Sequence, residues 1–257
     1  MDLGLAGRTA IVCASTSGLG EATARALAAE GARVVVSGRR AERAEAIAAE
    51  LPGAVGVGVD LTAADGPDTL VARAQAAFGP VDVLVLNSGG PPPSTAATID
   101  AEALNDALVP LLLAQQRLVS LVLPTMRERR WGRIVAVGSV GVVAPIPGLA
   151  LSNVGRAALG GYLKTLAGEV APDGVTVNVL LPGRIATART AQVDEHQAAR
   201  EGEDVDAVEA RNAAAIPAGR YGRPEEFGAV AAFLCSDAAS YVTGTALRCD
   251  GGLVQSL

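Results

Sequence analysis

The chain has 257 residues, 50% hydrophobic but only 3% aromatic, so its apolar weight lies in Ala, Val and Leu and is ample for a buried core. Its formal net charge of −6 speaks against a nucleic-acid partner, whose binders carry a basic face, and offers no polybasic membrane anchor. Cys13, Cys235 and Cys249 are too few and too scattered for a metal cluster or a disulfide framework, which predicts a reducing, cytoplasmic setting. Segment 1–8 lacks the basic-then-apolar pattern of a signal peptide. No apolar run is expected to reach membrane-spanning length, since 108–123 is interrupted by Pro110, Gln115, Gln116 and Arg117.

Residues 8–14 read as a short buried strand and 15–20 as a Gly/Ser turn, followed by an Ala-rich helix at 21–30 that Gly31 ends. A strand at 33–37 leads to a helix at 41–51, stopped at Pro52. A strand at 54–59 and a helix at 68–78 follow, closed by Gly79 and Pro80. Residues 81–86 form a fourth strand that runs into the loop 87–94. Beyond it come a long helical region at 101–130, a strand at 133–137, a helix at 152–170, a strand at 175–181 and a last strand at 245–248. This alternation predicts one α/β domain over 1–257, a Rossmann-type doubly wound parallel sheet of about seven strands with helices on both faces. Residues 187–218 are polar, charged and Ala-rich without a strand pattern, and read as a substrate-lid insertion, with a plain surface helical insert as the alternative.

In open α/β sheets the ligand lies beyond the carboxyl ends of the strands. The first such end is Cys13-Ala14-Ser15-Thr16-Ser17-Gly18-Leu19-Gly20, where glycines let backbone approach a pyrophosphate at the next helix N-terminus. Later ends carry Val59-Asp60-Leu61-Thr62, Asn87-Ser88-Gly89-Gly90 and Pro182-Gly183, with Thr187 five residues past the proline. Each alone is an ordinary strand-end turn. In this order they resemble the nucleotide half of the short-chain dehydrogenase/reductases, whose patterns are Thr-Gly-x-x-x-Gly-x-Gly, Asn-Asn-Ala-Gly and Pro-Gly-x-x-x-Thr.

That resemblance implies a nicotinamide dinucleotide. Its contacts would be Ala14, Ser15, Ser17, Gly18, Leu19 and Gly20 at the first turn, with Asp60 and Leu61 at the adenine. Asn87, Ser88 and Gly89 would close the fourth strand over it, Arg156 would hold the ribose, and Pro182, Gly183 and Thr187 the carboxamide. Cys13 and Ala14 stand where the family has Thr and its first Gly, so a turn needing positive φ would strain Ala14. NAD-binding members place a carboxylate at the end of the second strand; here Gly38 is followed by Arg39, which suits a 2′-phosphate. NADP(H) is therefore expected rather than NAD(H), the alternative being a solvated arginine at a helix start.

The segments Gly138-Ser139-Val140 and Leu151-Ser152-Asn153-Val154-Gly155-Arg156 have a telling spacing. Thirteen residues past Ser139 stands Ser152, and four further stands Arg156. In the family this frame carries Ser, Tyr and Lys, and an Asn in the long helix that aligns with Leu111. Only Ser139 of the four is retained, and the expected catalytic set is Ser139, Ser152 and Arg156. An aliphatic hydroxyl is a poorer acid than a phenol, and losing a positioned general acid costs about 10²–10⁴-fold. Ser152, Asn153 and Arg156 bring polar groups to the start of one helix, Ser152 and Arg156 on the same face, with a simple N-cap as the rival reading of Ser152. Tyr162 is rejected as a substitute because Leu166, not a base, follows it by four residues. His196, the single histidine, reads as a surface residue of the lid before it reads as an acid.

The long helix, the Gly132-Arg133-Ile134-Val135 strand and the 220–226 stretch Arg-Tyr-Gly-Arg-Pro-Glu-Glu are most similar to the β-ketoacyl-ACP reductase branch. The implied activity is NADP(H)-dependent oxidoreduction of a carbonyl or hydroxyl on a small or acyl-chain substrate, with an altered proton donor. Two rivals stand beside it. One is an inactive relative that binds nucleotide or a partner subunit. The other is a non-redox enzyme like the halohydrin dehalogenases, which carry Arg at the Lys position but keep the Tyr. The resemblance also implies a homodimer or homotetramer through the helices at 101–130 and 152–170, with small residues Ala157, Ala158, Gly160 and Gly161 permitting close approach. No metal is expected, and Pro91-Pro92-Pro93 would stiffen one pocket wall.

Overall fold

Seven parallel strands make one sheet in the computed structural model, which describes residues 2–256. In chain order the elements are β1 (Thr9–Val12), α1 (Gly18–Ala29), β2 (Arg33–Gly38), α2 (Ala41–Ala49), β3 (Ala54–Gly58), α3 (Gly66–Phe78) and β4 (Val83–Leu86). They continue with α4 (Ala101–Leu108), α5 (Ala114–Glu128), β5 (Gly132–Val137), α6 (Ala150–Val170) and β6 (Val175–Pro182). The chain closes with α7 (Ala188–Glu201), α8 (Val205–Ala214), α9 (Pro224–Leu234) and β7 (Ala246–Cys249).

The strand order is β3-β2-β1-β4-β5-β6-β7, and Val12 of β1 pairs with Val36 on one side and Val85 on the other. Both faces of a parallel sheet are covered, so its central strands are continuous apolar runs; all four residues of β4 are buried. One face packs against α3, α5 and α6 through Leu70, Leu118, Val122 and Leu163. The other packs against α1, α2 and α9 through Leu27, Ile47, Phe227 and Leu234. Each such side chain contributes roughly 1.5–3 kcal/mol of burial. The order reverses between β1 and β4, which opens a crevice at their carboxyl ends.

The helix expected over 101–130 is interrupted. A π turn, Val109–Leu113, separates α4 from α5 and contains Pro110, whose missing N–H makes a regular helical turn costly there. The stretch Ala101–Glu128 is nonetheless long and apolar enough to cross a membrane by length and composition, which corrects the sequence expectation. In the fold it is a core helix: Leu118, Val119, Val122 and Met126 are buried on the sheet. α1 starts at Gly18 rather than 21, and α6 at Ala150 rather than 152. The segment 187–218 contains two helices, α7 and α8.

Candidate active site

The crevice opens into a cavity of about 1900 Å³, roomy enough for a dinucleotide together with a small substrate. Its walls are built by the strand ends in turn. After β1 the chain turns sharply: Ala14 has φ 45°, a left-handed conformation that costs a residue with a Cβ roughly 1–2 kcal/mol. The Ala14 carbonyl accepts from Asn87 Nδ2 at 3.2 Å, which ties the turn to the end of β4. Thr16, Ser17, Gly18 and Leu19 face the cavity. Ser17 N-caps α1 in extended backbone, yet its side chain makes no cap bond, so the first amides of α1 remain free for an anion at the cavity wall. Thr187 packs beside this turn: a Cβ on Gly18 would lie 3.5 Å from Thr187 Cγ2.

Two residues expected at this grip are placed elsewhere. Ser15 is fully buried: its Oγ donates to the Val12 carbonyl at 2.7 Å and accepts from Ser37 N at 2.9 Å, stapling the turn to β2. Gly20 is off the cavity wall as well; a Cβ there would press on the Ala14 carbonyl and lie 2.9 Å from Asn87 Nδ2. Both serve the turn's shape, Ser15 as a hydrogen-bonded staple and Gly20 as a clearance.

At the far end of this half, Gly38, Arg39, Asp60, Leu61 and Thr62 line the cavity. Asp60 accepts from Thr62 N at 2.9 Å and Thr62 Oγ1 at 2.7 Å. Those bonds, and then the nearby Arg39 charge, hold its carboxyl below the usual carboxylate range. Arg40, which sequence reasoning passed over, also lines the wall and reaches Thr16 at 3.4 Å. The sequence signal was present in the Arg39-Arg40 pair.

Toward the other end, Asn87, Ser88, Gly89 and the three prolines Pro91, Pro92 and Pro93 form one wall, with Pro182, Gly183 and Thr187 opposite. Thr187 caps α7 by accepting from Thr190 N at 3.3 Å. Ser139, Ser152 and Arg156 line the same space. The Ser139 Oγ accepts from Gly141 N at 3.0 Å, which leaves its own proton to donate. Ser152 is half-buried in the first turn of α6 and is not its cap; the cap position belongs to Leu149. Ser94 supplies the cap from another loop, its Oγ accepting from Leu151 N at 3.0 Å. Asn153 turns away and is bound to Ile146 N at 3.3 Å and the Ile146 carbonyl at 3.0 Å, pinning the loop after β5.

Arg156 Nη1 donates to the Val137 carbonyl at 2.5 Å, at the end of β5. Burial, and then the charge of Arg189, push this guanidinium down to about 10, so it is still a cation at neutral pH. Leu111 lies in the π turn, buried against α6 where a Cβ on Gly155 would sit 2.6 Å from its Cδ1. One turn on, Gln115 is buried and donates to the Pro110 carbonyl at 2.9 Å, while its Oε1 has no protein partner. That acceptor on the cavity wall carried no motif by which sequence reasoning could find it.

Among the described residues, no tyrosine, histidine, lysine or cysteine lines the cavity. His196 is exposed on α7 away from it, and Tyr162 is half-buried against the sheet core, where desolvation raises its phenol. The segment 187–218 borders the cavity with Ala188, Arg189, Thr190, Val193 and Asn212, and the carboxyl-terminal stretch 253–256 closes another side. α7 and α8 are tied together by Asp194, which is buried and bound to Arg184 at 2.5 Å, Asn212 at 3.0 Å and Tyr221 Oη at 2.9 Å.

Fold and cavity together define an oxidoreductase of the dinucleotide-binding Rossmann class. A family model described as enoyl-(acyl carrier protein) reductase matches residues 13–254. The 3-oxoacyl-[acyl-carrier-protein] reductase FabG of Escherichia coli is 36% identical over 249 residues, covering 96% of this chain and 97% of its own. L-Sorbose reductase from Gluconobacter frateurii, solved with NADPH and L-sorbose, superposes with a TM-score of 0.93 at 33% identity over 100% of both chains. Actinorhodin polyketide ketoreductase, solved with NADPH, gives 0.91 at 34% identity over 96% of this chain and 97% of its own. The chain belongs to the short-chain dehydrogenase/reductase family, on its β-ketoacyl-ACP reductase branch.

Proposed function

We propose that the chain is an NADP(H)-dependent oxidoreductase that acts on a carbonyl or hydroxyl of a small or acyl-chain substrate, with Ser139, Ser152 and Arg156 in place of the family's phenol-based proton delivery. The observation that carries this reading is the single cavity joining Arg39 at one end to Ser139, Ser152 and Arg156 at the other. The cavity walls fit the dinucleotide: a helix N-terminus with free amides for the pyrophosphate, Arg39 and Arg40 for a 2′-phosphate, and Thr187, beside Gly18 on the wall, for the carboxamide. NADPH, when bound, supplies a hydride to the carbonyl carbon.

The chain's own residues then manage the oxygen. Ser139 and Ser152 hydrogen-bond it, and Arg156, anchored on the Val137 carbonyl, sets a fixed positive charge behind the site. Preorganised charge of this kind stabilises the negative oxygen as it develops and needs no proton transfer in the same step. A water then passes a proton to it through the Ser152 hydroxyl and leaves as hydroxide to solvent, since among the described residues the cavity wall offers no stronger neutral acid than the serines. α7 and α8 act as the lid that limits water at this end.

We place the enzyme in the cytoplasm, where its three free cysteines fit. Leu113 in the π turn and Val154, Ala157, Ala158 and Gly161 on α6 are exposed and are the proposed contact for a homodimer or homotetramer. The test is titration of the purified protein with NADPH and NADH by fluorescence or calorimetry, followed by turnover with a ketone panel. The expected result is NADPH-selective binding and a measurable reductase rate. Absence of binding by either nucleotide at millimolar concentration would overturn the reading.

A further inference from the structure

Arg156 and Arg189 both stand at the reacting end of the cavity, and of the two only Arg156 has a part in the reading above. Arg39 and Arg40 occupy the opposite end, and Arg184 is paired with Asp194. Arg156 and Arg189 both line the cavity, and among the described residues each is bound to a backbone carbonyl rather than a carboxylate. The Arg189 charge is felt at Arg156 as repulsion. The only acids on the cavity wall among the described residues are Asp60, engaged with Thr62, and Asp106, exposed on α4.

Arg189 also has a built seat. Its Nη2 donates to the Pro91 carbonyl at 2.9 Å, at the start of the three-proline run that stiffens this loop. A Cβ on Gly90 would lie 3.1 Å from Arg189 Nε and Nη2 and 3.2 Å from Cζ, so the guanidinium lies flat where residue 90 has no side chain. Only one of its five N–H groups is spent on Pro91, so Nη2 keeps a second N–H and one complete edge, with Nη1 or with Nε, remains; such an edge matches a carboxylate in two parallel hydrogen bonds. Two neighbouring cations with no acid between them are stabilised when an anion arrives.

We infer that the substrate carries a carboxylate, seated on Arg189 within the field of Arg156, and that the enzyme therefore takes small oxo acids or the corresponding hydroxy acids. The inference rests on the reading of the chain as a nicotinamide-dependent oxidoreductase. It adds the charge of the substrate, which no motif in the sequence indicates.

The experiment uses the NADPH-loaded protein. Pyruvate, 2-oxobutanoate, acetoacetate and levulinate are titrated beside their methyl esters, with quenching of the bound NADPH fluorescence and calorimetry as readouts. At least one acid is expected to bind about 10–100-fold more tightly than its ester, the effect of hydrogen bonds to a charged group. Arg189→Met is expected to erase that ratio while changing the NADPH Kd by less than about threefold, and Arg189→Lys to retain part of it, as a charge without the fork. Acids that bind no better than esters, or fail to bind at all, would overturn the inference. So would an Arg189→Met protein that keeps the acid preference but loses NADPH affinity, because Arg189 would then serve the cofactor's phosphates. Failure of the wild-type protein to bind NADPH would instead overturn the oxidoreductase reading itself, so the two failures are distinct.

Discussion

Gly155 of α6 and Leu111 of the π turn meet in close contact, and Gly155→Ala tests how tightly they are packed. An added Cβ would lie 2.6 Å from Leu111 Cδ1, 2.9 Å from its Cβ and 3.3 Å from its Cγ. Ordinary carbon contacts are about 3.5–4.0 Å, so α6 and the π turn must part by the better part of an ångström or Leu111 must leave its rotamer. Leu111 is 1% exposed and packs with Ala107 and Leu151, which leaves it little room to move. Overpacking costs about 1–3 kcal/mol, and a 2.6 Å approach to a fully buried side chain puts this case in the upper part of that range, about 2–3 kcal/mol. Replacing a mid-helix glycine returns about 1 kcal/mol of helix propensity. The expected net loss is therefore about 1–2 kcal/mol, read as a Tm drop of about 2–8 °C for a chain of this size. The double variant with Leu111→Ala should be more stable than the sum of the singles by about 0.5–3 kcal/mol, measured by urea denaturation. A Gly155→Ala protein as stable as the wild type, or more stable, would refute the close approach of α6 to the π turn.

Arg39→Glu replaces the cation beside Asp60 with a repelling carboxylate, and should cut the NADPH-over-NADH binding ratio by about 10–100-fold in a calorimetric titration; an unchanged ratio would remove Arg39 as the selector. Burial lowers Arg156 to about 10, so its cation is complete below that pH and is lost as pH rises through it. The pH profile of kcat/KM should accordingly stay level up to about pH 9 and fall beyond about pH 10; a break between pH 6 and 8 would point to a different titrating group. Asp194→Ala strips the partner from Arg184, Asn212 and Tyr221, and limited proteolysis should then cut within 188–214 faster than in the wild type. Protease resistance equal to the wild type's would mean that Asp194 does not hold α7 and α8 together. The triple variant Leu111→Asn, Ser152→Tyr, Arg156→Lys builds the set that the family resemblance implies at these positions and should raise the reductase rate by about 100-fold with whichever ketone of the panel the wild type turns over, while a rate that falls would show that Ser152 and Arg156 work only as a pair of their own kind.

The sheet was legible in the chain because its signal is local and repeated. Val34-Val35-Val36 and Val83-Leu84-Val85-Leu86 are apolar throughout, as strands covered on both faces must be, and Gly79-Pro80 and Pro52 punctuate the helices between them. The strain at Ala14 was legible too, since a turn of that shape leaves a residue with a Cβ few conformations, and the structure gives it φ 45°. What the chain does not encode locally is where a side chain ends up pointing. Ser15 and Ser17 sit in the same turn, yet Ser15 is consumed in stapling β1 to β2 while Ser17 faces the cavity. Asn153 and Ser152 are neighbours on one helix, yet Asn153 closes on Ile146 while Ser152 lines the cavity wall. Gln115, Arg189 and the stretch 253–256 reach the cavity only because elements far apart in the chain are folded onto it. Strand and helix periodicity follow from neighbours a few residues away, and so the sequence alone determines them. The direction of a polar side chain is decided by whichever distant backbone group offers it a hydrogen bond, and only the tertiary structure supplies that partner.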